Sequence, residues 1–134
     1  MEVPPYSAAA SGPDQQLQAL GETGVRVTPL DLAAGYRYLA RRVSDQTMAP
    51  VLDGMEGAVE FGTAQSARLE RIRVAGKTGS VLTSSGRRAA WFAGFAPSRS
   101  PEVAVVVLVQ GRSGGSDAAP IAARMLREHF GERA

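Results

Sequence analysis

The chain has 134 residues, 44% apolar and 21% charged, which bounds it to one globular domain and argues against disorder. Fifteen Lys and Arg against 13 Asp and Glu leave a net charge of +2, and no basic run exceeds two residues, so nothing points to nucleic acid. Cysteine is absent and His129 is the single histidine, which excludes disulfides and thiolate sites and argues against a zinc site or a histidine triad; no metal or cofactor is expected.

Residues 1–20 read as a linker or loop, because Met1 to Gln16 is rich in Pro, Ala and Ser with little periodicity. Met1 to Gly12 lacks the basic region and apolar core of a signal peptide. The longest apolar run, Val103 to Val109, is too short to span a bilayer. Residues 21–134 are then the folded portion.

A helix is expected from Thr28, which can cap it, with Pro29 first and Asp31 closing a capping box. Leu32, Tyr36, Leu39 and Val43 give it one apolar stripe, and it should end near Arg42. A second helix is expected over Met48 to Val59, with Val51, Met55 and Val59 inward and Pro50 in its first turn. Gly54 and Gly57 weaken it, and Phe61-Gly62-Thr63-Ala64 reads as its exit.

Arg71 to Ala96 reads as a hairpin. Ile72 and Val74 lead into Lys77-Thr78-Gly79-Ser80, a polar turn spans Thr83 to Arg87, and Ala89 to Phe95 returns. Pro97 to Pro101 is a tight connection, and the valine-rich Glu102 to Gln110 predicts a strand buried on both faces. After a loop over Gly111 to Gly115, Ser116 or Asp117 should cap a last helix, its faces defined by Ile121, Met125 and Glu128-His129, with Leu126 and Phe130 alongside Met125. The fold class is therefore α+β: an antiparallel three-strand meander packed with helices.

Lysine, threonine and glycine at a strand end have a chemical logic. The Lys77 ammonium supplies charge and the Thr78 hydroxyl a directional donor, both suited to a carboxylate. Gly79 lets a ligand approach the backbone as an added strand would, and the Ser80 amide could point at a developing oxyanion. A phosphate-binding loop fits poorly, since its first glycine would fall at Arg71 and a hairpin follows where a helix is required. Three residues alone would also suit an ordinary exposed strand end.

The surroundings narrow the choice. Ala75 to Ser80, then Ala90 to Pro97, then Pro101 to Val107 resemble the third motif region of the penicillin-binding protein transpeptidase family, which carries K-T-G with S-x-x-K and a second serine motif. Gly24 to Ala33, Met55 to Ala64 and Ala119 to Ala122 resemble its flanking segments, so the likeness runs from about Gly21 to Phe130 in the family's order.

That resemblance implies a C-terminal part of a catalytic domain. Lys77 would maintain an electropositive site and bond a hydroxyl of the second motif. Thr78 and Ser80 would bind the terminal carboxylate of a peptidoglycan stem peptide or a β-lactam, and the Ser80 amide would form half of an oxyanion hole. The family commonly has threonine where Ser80 stands, a mild departure. A larger departure is that no serine has a lysine three residues on, Lys77 is the only lysine, and asparagine is absent. The nucleophile, its base and the second motif are thus expected before Met1, supplied in cis or trans, and the isolated chain is expected to be inactive. The parent protein would sit at the extracytoplasmic face of the bacterial inner membrane. Without the missing half, the sheet face and the first helix's stripe should be exposed.

Two alternatives remain at this stage. One is a non-catalytic orphan module that binds peptide or a partner chain. The other, within the enzyme class, is a serine β-lactamase or D,D-carboxypeptidase, against which the Val27-Thr28-Pro29-Leu30-Asp31-Leu32-Ala33 and Gly62-Thr63-Ala64 segments favour a high-molecular-weight transpeptidase.

Overall fold

A computed structural model describes residues 26–83 and 85–132; the expected linker over residues 1–20 and Ser84 of the turn lie outside the described residues. Helix α1, Pro29–Ala40, starts as its sequence dictates. Thr28 Oγ1 accepts from the Asp31 amide at 3.1 Å and Asp31 Oδ2 accepts from the Thr28 amide at 3.0 Å. Tyr36, Leu39 and Val43 pack on Leu52, Met55, Ala75 and Phe95. The expected stripe is therefore not left bare: at Tyr36, Leu39 and Val43 it is partly buried against the protein's own sheet and second helix.

Helix α2, Ala49–Glu60, forms despite its two glycines. Leu52, Met55 and Val59 are buried, whereas Val51 is 49% exposed. Steps of four drift around a helix, while alternating steps of three and four hold one face, so Leu52 takes the place expected of Val51.

Strands β1 (Ala75–Leu82), β2 (Arg88–Ala96) and β3 (Val103–Gln110) make an antiparallel sheet in the order β1-β2-β3. Lys77 lies opposite Ala93, Gly79 opposite Trp91, and Gly76 opposite Gly94. A Cβ on Gly76 would lie 2.4 Å from the Phe92 ring, and one on Gly94 2.4 Å from the Ala75 carbonyl. This glycine pair lets the fully buried Phe92 lie across the sheet beneath the lysine strand.

Each face has its own core. Phe92, Val105 and Val107 pack against α3, Ala119–Phe130, while Ala75, Phe95 and Ala104 meet α1 and α2. Strand β3 is not buried on both faces as its valines suggested: Leu108 is 40% exposed and Gln110 is exposed. Among the described residues it is an edge strand, and on that side the packed cluster of α1 reaches only its Ala104 end. In α3 the buried residues are Ala119, Ala122, Ala123 and Leu126, whereas Ile121 and Met125 face outward. Small alanines allow close approach to the sheet, and that settles which face turns inward.

The cap before α3 also differs from expectation. A π-type turn, Gly114–Ala118, precedes the helix and is capped by Ser113, whose Oγ accepts from the Ser116 amide at 3.1 Å. Asp117 instead reaches back to the amides of Arg112 and Ser113, at 2.6 and 3.2 Å. Those backbone bonds, the one from Ser113 first, hold its carboxyl below the ordinary range.

At the opposite end of the sheet, buried Glu56 of α2 fastens the β2–β3 connection. It accepts from Ser98 Oγ at 2.7 Å, from Arg99, and from Arg73 at 3.4 Å. Among the described residues, no helix is long and apolar enough to cross a membrane.

Candidate active-site strand

Among the described residues, strand β1 is a sheet edge, paired with β2 alone. Its side chains alternate, so Lys77 and Thr78 project to opposite faces while Thr78 and Ser80 share one. Lys77 is exposed, and its ammonium donates to the Thr78 carbonyl. Thr78 is buried, and its Oγ1 lies 2.7 Å from Thr63 Oγ1 in a hydrogen bond that either hydroxyl can donate. Ser80 is exposed, and its Oγ accepts from the Gly114 amide at 3.1 Å. Gly79 is half-buried; a Cβ there would meet Trp91 Cβ at 3.4 Å and no other atom within 4 Å, apart from its chain neighbours. All four residues expected at the site thus lie on one short edge segment, with charge on one side and two hydroxyls on the other.

Two glycines behind this segment set its position. A Cβ on Gly114 would lie 2.3 Å from the Trp91 carbonyl oxygen and 2.8 Å from the Gly79 nitrogen. A Cβ on Gly115 would lie 2.4 Å from the Thr63 carbonyl oxygen. The β3–α3 connection is therefore wedged between the exit of α2 and β1, against backbone on both sides. Beside Ser80 opens a cavity of about 220 Å³ whose lining also includes Val81, Leu82 and two basic residues, Arg88 and Arg112. A larger cleft of about 400 Å³ between α1 and the start of β3 holds none of the expected site residues.

The family model of the penicillin binding protein transpeptidase domain matches residues 7–127. The chain belongs to this family. Among transpeptidases it is 33% identical over 108 residues to the peptidoglycan D,D-transpeptidase PbpA of Mycobacterium tuberculosis, covering 73% of this chain and 22% of PbpA. Its fold is similar to the transpeptidase domain of the FtsI4 D,D-transpeptidase from Legionella pneumophila, with a TM-score of 0.81 and 28% identity over 96% of this chain and 56% of that one. It also resembles penicillin-binding protein A from M. tuberculosis, solved as an imipenem acyl-enzyme complex, with a TM-score of 0.56 and 30% identity over 63% of this chain and 19% of that one. The three-strand meander with helices on both faces is thus a transpeptidase-domain architecture, and the chain spans about a fifth of the length of that curated relative.

Two features of this transpeptidase segment escaped the sequence reading. Thr63 read as part of a helix exit and of the Gly62-Thr63-Ala64 resemblance, with no role at the site given to its hydroxyl. Gly114 and Gly115 read as loop, where a glycine pair can equally mark close backbone approach.

Proposed function

We propose that this chain forms the carboxylate-binding and oxyanion-binding side of a peptidoglycan D,D-transpeptidase. The observation that carries the reading is the open edge of β1, where the Lys77 ammonium and the Thr78 and Ser80 hydroxyls gather within four residues. Alternate residues of an antiparallel strand direct their backbone groups to the same edge, so the Ser80 amide points the same way as the Thr78 carbonyl. That carbonyl already accepts from Lys77, which supports an open edge at both positions.

In this reading a stem peptide lies along β1 as an added strand, facing Gly79. Thr78 and Ser80 donate to its terminal carboxylate, and Arg88 and Arg112 make that corner electropositive. A serine outside these residues attacks the penultimate D-alanine carbonyl, whose oxygen takes up charge against the Ser80 amide. Terminal D-alanine leaves as its nitrogen gains a proton, and an amine from a neighbouring stem then displaces the serine from the ester. A β-lactam with its carboxylate is held in the same way, a reading supported by the likeness to an imipenem acyl-enzyme. The work is done at the extracytoplasmic face of the inner membrane, where the stem peptides are.

Lys77→Ala in the intact protein that carries this segment should slow acylation by a β-lactam about 10²–10³-fold, the scale of losing one preorganised electrostatic group. Because Lys77 is exposed, its unfolding transition should stay in place. Equal acylation rates in variant and wild type would remove the lysine from the site.

A further inference from the structure

Resting on that reading, we propose that Thr63 is a positioning residue: its hydroxyl donates to Thr78 Oγ1 and thereby commits the Thr78 proton to the substrate carboxylate. A threonine hydroxyl has one proton to give and two lone pairs to receive. A carboxylate only accepts, so Thr78 can serve it only by donating. With Thr63 Oγ1 at 2.7 Å, a Thr78 proton turned toward Thr63 would be lost to the ligand. Once a carboxylate binds, the 2.7 Å contact holds as a hydrogen bond only with Thr63 as donor. Thr78 is itself buried, so its hydroxyl has little water to fall back on and its direction depends on this neighbour.

The surrounding backbone is built to hold the two hydroxyls together. Thr63 follows α2 and Thr78 lies in β1, fifteen positions apart in the chain. Gly115 lies against the Thr63 carbonyl, and Gly114 against Gly79 and Thr78; neither has room for a side chain. The same wedge delivers the Gly114 amide to Ser80 Oγ at 3.1 Å. That bond uses a lone pair of Ser80 and leaves its proton free. Both hydroxyls of the strand are therefore supplied with a donor from behind, and both keep a proton for the ligand. Thr63 is itself exposed, so removing its hydroxyl buries nothing new at position 63 and takes effect at the buried Thr78 hydroxyl, which loses this partner.

The test is made in the intact protein carrying this segment, with benzylpenicillin and its methyl ester as the two acylating probes. Thr63→Val removes the donor and keeps the shape. Acylation by the free acid should fall about tenfold, the scale of a hydrogen bond to a charged group, while acylation by the ester changes less than about twofold. Thr63→Ser should restore the preference for the acid. A general disturbance of the fold would slow both probes alike, so an equal loss, or no loss with either, overturns the role of Thr63 and leaves the transpeptidase reading standing. If the wild-type protein takes up neither probe, the transpeptidase reading falls, and the role of Thr63 with it.

Discussion

Glu56 collects donors from two segments distant from it in the chain. Burial alone would raise its carboxyl, but the bonds from Ser98 and Arg99, with the nearby Arg99 and Arg73 charges, outweigh that and hold it below the ordinary range. A carboxyl depressed on folding adds stability that is complete above the unfolded value, about 4.3, and is lost as pH falls through the lower folded value. Glu56→Gln should lower the stability of the intact protein carrying this segment at neutral pH by about 1–3 kcal/mol and flatten its loss in acid below about pH 4, measured by denaturant unfolding across that range. An acid limb as steep as that of the wild type would assign the pH dependence to other carboxylates. Neither this cluster nor the Thr63–Thr78 pair was legible in the sequence. Both join residues many positions apart, and the register that brings them together is a tertiary fact. Lys77, Thr78, Gly79 and Ser80 were legible because they are contiguous, so a strand alone sets their relation.

Among the elements, the wedge before α3 carries the sharpest prediction. Gly114→Ala puts a methyl group where backbone atoms of Trp91 and Gly79 already stand. Either β1 or the connection must shift, at a cost of about 1–3 kcal/mol. β-Lactam acylation by the intact protein should fall with it, since the Gly114 amide and Ser80 move together. Unchanged unfolding and acylation would mean the contact relaxes freely. The elements themselves followed from local chemistry: the Thr28 and Asp31 capping box, Pro29 and Pro50 in first turns, and the valine run of β3. Which helix face turned inward was harder to read. In α3 the large apolar residues Ile121 and Met125 lost to alanines, because close approach to the sheet rewards small side chains there. The cap of that helix moved to Ser113 because the π-type turn begins a full turn before the regular helix.

For the molecule as a whole, composition and element order led to the α+β meander, and the family match over residues 7–127 agrees with the resemblance read from its motifs. The sheet face toward α1 and α2 is covered at its Ala75, Phe95 and Ala104 end. Beyond that, Lys77, Val81 and Leu108 remain exposed on the same face. Elsewhere Phe61 is 79% and Leu82 71% exposed. Expressed alone, these 134 residues should therefore self-associate or unfold without a sharp transition. Light scattering with thermal unfolding checks this, and a monomer with a cooperative transition would contradict it.

The proposed function requires that strand β1 serve a nucleophile lying outside these 134 residues. Mass spectrometry of the intact protein after incubation with benzylpenicillin tests it most directly. One covalent adduct, on a serine outside the 134 residues and lost or slowed in Lys77→Ala, is the predicted result. No adduct, or an adduct on a serine within them, would contradict the account.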